Sequence, residues 1–208
     1  MNNPYLSVVV PAFNEESRLE ESLIKILEYL DHRDFSYEVL VIDDGSSDRT
    51  FPIASKYVFE RDGSSLDVHR NERNRGKGYS VRRGMLGAKG QFALLTDTDL
   101  SAPIEELEKL EEPVFSGECD IAFGSRDVMG SEVVIHQPWL RENAGKAFNW
   151  VVRFLTALPY KDTQCGFKLF KMKSCKDIFR KQRIEKFAFD VEILFVARKW
   201  GLVAREIP

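Results

Sequence analysis

The sequence has few of the residues that form disulfide bonds in small secreted proteins or bind structural metal ions. Of its 208 residues, only three are histidine and three are cysteine. Cys119, Cys165 and Cys175 form an odd set without close metal-ligand spacing. We therefore expect reduced, mostly buried thiols in a cytoplasmic protein, and we exclude a disulfide scaffold or a zinc ribbon.

Long apolar runs and a strong charge imbalance are also missing. No run reaches the roughly 18 to 20 apolar residues that span a bilayer, and the stretch Phe148–Leu158 contains Arg153. Met1–Tyr5 lacks the features of a signal peptide. A formal net charge of −3 argues against a nucleic-acid partner. With 43% apolar and 30% charged residues, the composition is that of a globular protein.

What the sequence does contain is an alternation of short β-branched runs and amphipathic segments. Leu6–Val10 is predicted to be a buried strand that ends at Pro11, and Ser17 is expected to cap the helix that follows. Further strands are predicted at 39–42, 66–69, 92–96, 120–124, 167–170 and 203–207, and further helices at 51–58, 78–89, 139–158 and 189–200. This order predicts an α/β fold, with a mostly parallel sheet and helices on both faces.

Acidic or turn motifs directly follow three of these predicted strands. Since the carboxyl ends of parallel strands meet at one edge of a sheet, we expect these motifs to converge there. Asp97 and Asp99 offer the oxygen ligands that Mg²⁺ or Mn²⁺ prefers. In isolation an Asp-x-Asp is more often a solvated turn, Asp43-Asp44 is a turn former, and Gly76-Lys77-Gly78 is only a weak phosphate signal.

Together, these motifs resemble the family 2 glycosyltransferases of GT-A fold. The similarity rests on residues 7–15 (SVVVPAFNE), 41–48 (VIDDGSSD) and 97–99 (DTD), and three later segments are similar to the dolichyl-phosphate β-glucosyltransferase branch: 124–126, 162–170 and 187–192. The resemblance implies a single GT-A domain over 1–208. Its nucleotide-binding part would cover about 1–125 and its acceptor part about 126–208.

The resemblance also implies roles for individual residues. The nucleoside pocket would be lined by Pro11, Phe13, Glu15, Ile42 and Asp44. The diphosphate and its metal would be met by Asp97, Thr98 and Asp99, with Asp99 the foremost ligand. Ser101 stands where related mannosyltransferases often have a glutamine that reaches the metal, so a water is expected to intervene. Arg126 and Arg141 would hold an acceptor phosphate, although Arg141 is equally consistent with a surface helix charge.

The implied activity is an inverting transfer of a sugar, glucose from UDP-glucose, to a dolichyl or polyprenyl phosphate with Mg²⁺ or Mn²⁺. Three alternatives stay open: a GDP-mannose donor, a hydroxyl acceptor with Asp190 or Glu192 as general base, and an inactive nucleotide-binding module. The segment 139–158 is expected either to pack on the sheet or to lie at the cytoplasmic face of a membrane. The chain ends at Pro208 without a closing helix, which suggests a truncation or a short family member.

Overall fold

A computed structural model of the chain describes residues 3–125, 156 and 158–208, and their strands form one mixed sheet. The described strands are β1 (Leu6–Ala12), β2 (Tyr37–Asp43), β3 (Phe59–Arg61), β4 (Ser64–Arg70), β5 (Phe92–Leu95), β6 (Ile121–Gly124), β7 (Lys168–Lys171) and β8 (Ala204–Ile207). The described helices are α1 (Leu19–Asp31), α2 (Thr50–Ser55), α3 (Lys77–Gly87), α4 (Leu107–Phe115), α5 (Met172–Lys181) and α6 (Phe189–Lys199), with a 3₁₀ turn at Ile104–Glu106.

The sheet has the strand order β3-β4-β2-β1-β5-β7-β6-β8. Its centre is parallel, because β1 pairs in parallel with both β2 and β5, and β2 pairs in parallel with β4. β7 runs antiparallel between β5 and β6, and the short β3 runs antiparallel to β4. The parallel centre therefore brings the ends of β1, β2 and β5 to one edge.

Helices cover both faces of this sheet, as the sequence predicts. Along β1, Val8 and Val10 pack into one buried cluster with α1 and α4, whereas Val9 packs into the other with α3, α5 and α6. This alternation follows from the two-residue period of a strand, and the nearly continuous apolar run of β1 follows from burial on both faces.

Two local predictions in the first turn are wrong. β1 continues through Pro11 to Ala12. Pairing with β5 ends at Val9, so the missing N–H of proline costs no hydrogen bond between these two strands. Ser17 does not cap α1, which begins at Leu19 without a side-chain cap.

Other elements escaped the sequence analysis. They are strand β3, which pairs with the predicted strand β4, helix α4 and helix α5. The predicted helix at 51–58 is shorter, since α2 ends at Ser55. Most of the predicted helix at 139–158 lies outside the described residues, so its packing and its membrane contact stay predictions.

The three cysteines are free, and Cys119 and Cys175 are buried, as expected. Burial raises the pKa of the Cys175 thiol to about 12, so this side chain is a neutral packing group at pH 7. Within the described ranges, no helix combines the length and the apolar character needed to cross a bilayer.

Candidate active site

A cleft of about 510 Å³ opens at the carboxyl edge of β1, β2 and β5. Its volume lies within the range of ordinary small-ligand sites, roughly 300 to 1,000 Å³. The residues that line it come from the end of β1, from five loops and from the start of α3: Pro11, Ala12, Phe13, Glu15, Asp44, Asn74, Gly76, Lys77, Ser80, Asp97, Thr98, Asp99, Lys186 and Phe187.

The loops after β1 and β2 are fastened to each other by polar side chains. The backbone N–H groups of residues 14, 15 and 16 donate to Ser46 Oγ (2.9 Å), Thr50 Oγ1 (2.7 Å) and Asp48 Oδ2 (3.1 Å). In return, Asn14 Oδ1 accepts a hydrogen bond from the backbone N–H of residue 47 at 3.0 Å. These hydrogen bonds pair backbone N–H groups in the turn that precedes α1. The two loops therefore form one rigid rim of the cleft.

Asp44 holds the glycine-containing loop before α3. Its carboxylate, only 3% exposed, accepts hydrogen bonds from Asn71 Nδ2 (2.7 Å), from the N–H of Gly76 (2.7 Å) and from the N–H of Arg75 (3.1 and 3.2 Å). Gly76 has φ +109°, and a Cβ there would meet the carbonyl oxygen of Glu185 at 2.5 Å. Only glycine fits both the conformation and the close approach.

The opposite wall of the cleft is formed by residues 182–187, which are hydrogen-bonded to the first turn of α3 and paired with the glycine loop before it. Gln182 Nε2 donates to the carbonyl of Gly78 at 2.8 Å, and the N–H of Tyr79 donates to the carbonyl of Glu185 at 3.0 Å. Glu185 also forms an ion pair with Arg75 at 2.5 Å. These contacts place Lys186 and Phe187 beside the cleft, where 74% of Phe187 is exposed.

Asp97 is held between a cation and a glycine at the floor of the cleft. Its Oδ1 lies 2.6 Å from Nζ of Lys77, the first residue of α3. Its Oδ2 faces Gly166, where a Cβ would overlap the carboxylate. Lys77 and the backbone of Gly166 therefore fix the position of the Asp97 carboxylate, while the side chain stays 31% exposed to the cleft.

Asp99 is exposed, and its Oδ1 accepts a hydrogen bond from the N–H of Ser101 at 3.0 Å. The turn that carries it is held from α1, because Ser22 Oγ donates to the carbonyl of Thr98 at 2.6 Å. The backbone of Asp99 is therefore fixed, and Oδ2 of its carboxylate is available to a ligand in the cleft.

This arrangement fits a divalent cation that is shared with a ligand. In the part of the chain that the structure describes, no cluster of three or more histidine, cysteine or acidic side chains could enclose a metal. Asp97 and Asp99 provide two carboxylates on one cleft wall. Mg²⁺ sites often consist of one or two carboxylates completed by water and substrate phosphates, so the residues present suit such an ion.

Most of the predicted site residues come together in the cleft, namely Pro11, Phe13, Glu15, Asp44, Asp97, Thr98 and Asp99. Ile42 does not: it is fully buried and packs against α3, because it alternates with residues that face the other side of β2. Ser101 is exposed outside the lining and touches Asp99 only through its backbone. Arg126 and Arg141 lie outside the described residues.

The structure also gives Asp190 and Glu192 roles other than that of a general base. Asp190 is buried and paired with Lys168 at 2.7 Å. Glu192 accepts hydrogen bonds from the N–H groups of Arg183 (3.0 Å) and Ile184 (2.8 Å). Both carboxylates are therefore occupied by the packing of α6.

Sequence reasoning missed Asn74, Ser80, Lys186 and Phe187 as cleft residues. The one sequence signal for the last two positions was the segment 187–192, which begins with Phe187 and directly follows Lys186. Nothing in the local pattern predicts that this segment packs against the glycine loop.

Comparison with known proteins agrees with this geometry. A family model described as glycosyl transferase family 2 matches residues 7–179. The chain is 35% identical to a dolichyl-phosphate β-glucosyltransferase of Dictyostelium discoideum, over 100% of the chain and 66% of that protein. It is 36% identical to the Homo sapiens protein of the same name, over 97% of the chain and 65% of that protein. The chain thus spans slightly less than two thirds of the length of these curated relatives.

Solved structures share the fold. Glucosyl-3-phosphoglycerate synthase of Mycobacterium tuberculosis in complex with UDP superposes with a TM-score of 0.67 at 19% identity, covering 98% of this chain and 69% of that one. The same enzyme with Mn²⁺, UDP-glucose and phosphoglyceric acid gives a TM-score of 0.66 at 17% identity, with the same coverage. The GT-A fold predicted from the sequence is confirmed.

Proposed function

Because the chain belongs to glycosyl transferase family 2, we propose that it transfers glucose from UDP-glucose to the phosphate of a dolichyl or other polyprenyl lipid. The observation that carries this proposal is the convergence of Asp44, Asp97 and Asp99 with Lys77 in one cleft. The identity of the sugar and of the acceptor is supported by the names of the relatives that match along the whole chain.

The donor would lie along the cleft, from the rim formed by the loops after β1 and β2 to the start of α3. Phe13 is 43% exposed there and offers an aromatic face to a base. Lys77 stands at the N-terminus of α3, where a positive helix end and an ammonium favour a diphosphate. Asp97 and Asp99 would hold Mg²⁺ or Mn²⁺, which as a Lewis acid stabilises the charge that develops on the leaving diphosphate.

The reaction would be one displacement at the anomeric carbon. A phosphate oxygen of the acceptor forms the new bond to this carbon as the bond to the diphosphate oxygen breaks, and UDP leaves. A phosphate monoester has a second pKa of about 6 and is largely dianionic at pH 7. Such a nucleophile needs no general base, which is consistent with the occupied carboxylates of Asp190 and Glu192. Arg126 and Arg141 remain the predicted acceptor-phosphate ligands.

The acceptor's lipid tail implies that transfer takes place at a membrane surface. The segment 139–158 remains our candidate for that contact. Liposome flotation would test it, because a protein that stays wholly in the unbound fraction contradicts peripheral binding.

The decisive experiment supplies UDP-glucose and GDP-mannose in separate reactions, each with Mg²⁺ or Mn²⁺ and farnesyl phosphate, and analyses the products by mass spectrometry. We expect glucosyl phospholipid and UDP from the first reaction and no product from the second. Mannosyl phospholipid would contradict the donor. Glycosyl phospholipid from neither donor would contradict the lipid-phosphate acceptor.

Lys77→Gln provides a narrower test of the diphosphate subsite. The substitution removes the charge that lies 2.6 Å from Asp97 and leaves a side chain of similar reach. Hydrogen bonds to charged groups contribute about 1.5 to 3 kcal/mol, so we expect UDP affinity, measured by calorimetry with Mg²⁺, to fall about 10- to 100-fold. Lys173→Gln, at an exposed position of α5 away from the cleft, is the matched control. Equal UDP affinity in both variants would contradict the role of Lys77 in binding the diphosphate.

A further inference from the structure

A lysine is buried at the start of β7, behind the cleft. Lys168 lies in β7 between Phe167 and Leu169, and its side chain is 0% exposed. Its ammonium pairs with Asp190 at 2.7 Å, in the first turn of α6, where the carboxylate is 4% exposed. Taking two charges out of water costs several kcal/mol each, and a buried pair is weak evidence for stability. Its presence calls for another explanation.

The ammonium of Lys168 also reaches toward the active site through the backbone. Nζ donates to the carbonyl of Cys165, and the next residue is Gly166. A Cβ at Gly166 would overlap Asp97 Oδ2, so the backbone of this glycine packs directly against the carboxylate. The segment 165–166 thus transmits the position of the buried ion pair to Asp97.

Charges alternate along this path. Lys77 pairs with Asp97 on the cleft side, and Lys168 pairs with Asp190 on the buried side. Burial raises the pKa of Asp190. The positive charges of Lys168 and Lys77 oppose this rise, and the negative charge of Asp97 adds to it. The charges of Lys77 and Asp97 on the cleft side are thus close enough to influence the pKa of Asp190 on the buried side.

We propose that Lys168 and Asp190 are positioning residues, which fix the carboxylate of Asp97 by anchoring the Cys165–Gly166 backbone against it. The inference rests on the proposed function of the cleft as a donor site. Neither residue lines the cleft, so both act through Asp97 rather than on substrate. Partners behind a metal ligand typically change metal affinity or activity 10- to 100-fold when they are lost.

The double variant Lys168→Met/Asp190→Leu separates positioning from structural support. Removing one partner of a buried pair leaves an uncompensated charge, whereas replacing both by apolar side chains is often neutral or stabilising. We expect the double variant to unfold within a few degrees of the unaltered protein. Its affinity for UDP in the presence of Mn²⁺, measured by calorimetry, should nevertheless fall about 10- to 100-fold. A double variant with wild-type melting temperature and wild-type UDP–Mn²⁺ affinity would overturn the proposal.

Gly166→Ala tests the last contact of this path, between the glycine backbone and the Asp97 carboxylate, without touching the ion pair, and it can still contradict the proposal if the double variant does not fold. The added methyl group must displace the Asp97 carboxylate, so we expect a similar loss of UDP–Mn²⁺ affinity. Gly87→Ala is the matched control, because a Cβ there meets no atom within 4 Å. Equal affinities in these two glycine variants would also contradict the proposal.

These measurements read binding and not turnover. Intact UDP–Mn²⁺ binding by the unaltered protein without transfer to farnesyl phosphate would contradict the proposed acceptor, while the comparison of variants would still decide the role of Lys168 and Asp190.

Discussion

Asp99→Ala should lower kcat/KM for UDP-glucose by about a thousandfold. A Lewis acid contributes several kcal/mol of transition-state stabilisation, and each 1.36 kcal/mol corresponds to about tenfold in rate. Asp99 lies in the cleft and makes one hydrogen bond within the described structure, from the N–H of Ser101. Because its side chain is exposed, the melting temperature should not change. The measurement is steady-state glucosyl transfer at saturating Mn²⁺.

The control for Asp99→Ala is Glu112→Ala, which removes an exposed carboxylate from α4 and leaves the cleft untouched. It should retain full activity. Retention of wild-type kcat/KM by Asp99→Ala would refute the role assigned to Asp99.

Asp44→Ala should destabilise the protein and abolish tight donor binding together. The carboxylate satisfies the N–H groups of Arg75 and Gly76 and the amide of Asn71. A buried donor without a partner costs about 1 to 3 kcal/mol, so we expect the free energy of unfolding to fall by about 3 kcal/mol. For a chain of this size that corresponds to about 6 to 12 °C in melting temperature.

The substitution Asp44→Asn keeps one carbonyl oxygen and should lose less stability than Asp44→Ala. Asp34→Ala, at an exposed position before β2, should lose none. A melting curve of Asp44→Ala that overlays the wild-type curve would show that this carboxylate is not what holds the glycine loop.

The sequence was sufficient for the features that depend on strand periodicity. Apolar runs followed by Asp43-Asp44 and by Asp97-Thr98-Asp99 predicted a parallel sheet and acidic groups at its edge, and the structure brings Asp44, Asp97 and Asp99 to one cleft. This worked because parallel pairing fixes the direction of the strand ends without any knowledge of side-chain contacts.

The roles of individual polar residues were harder to predict. Asp44 lines the cleft, but nothing in the sequence indicated that its oxygens also hold backbone N–H groups of the glycine loop. Ile42 was placed in the pocket, but the alternation of β2 turns it into the core. Lys168 within an apolar strand gave no sign of its partner, because Asp190 is brought to it only by the packing of α6. Such contacts depend on long-range packing, which local patterns do not encode.

Because residues 182–187 form one wall of the cleft, the protein should become able to bind a nucleotide only late in its synthesis. The rim, the glycine loop and the Asp97–Asp99 turn are all translated within the first hundred residues, but the glycine loop receives its contacts from Gln182 and Glu185 more than a hundred residues later. A nascent chain that has reached only residue 125 therefore has the acidic side chains of the cleft but lacks the wall formed by residues 182–187. Nucleotide capture should begin only after α6 has left the ribosome.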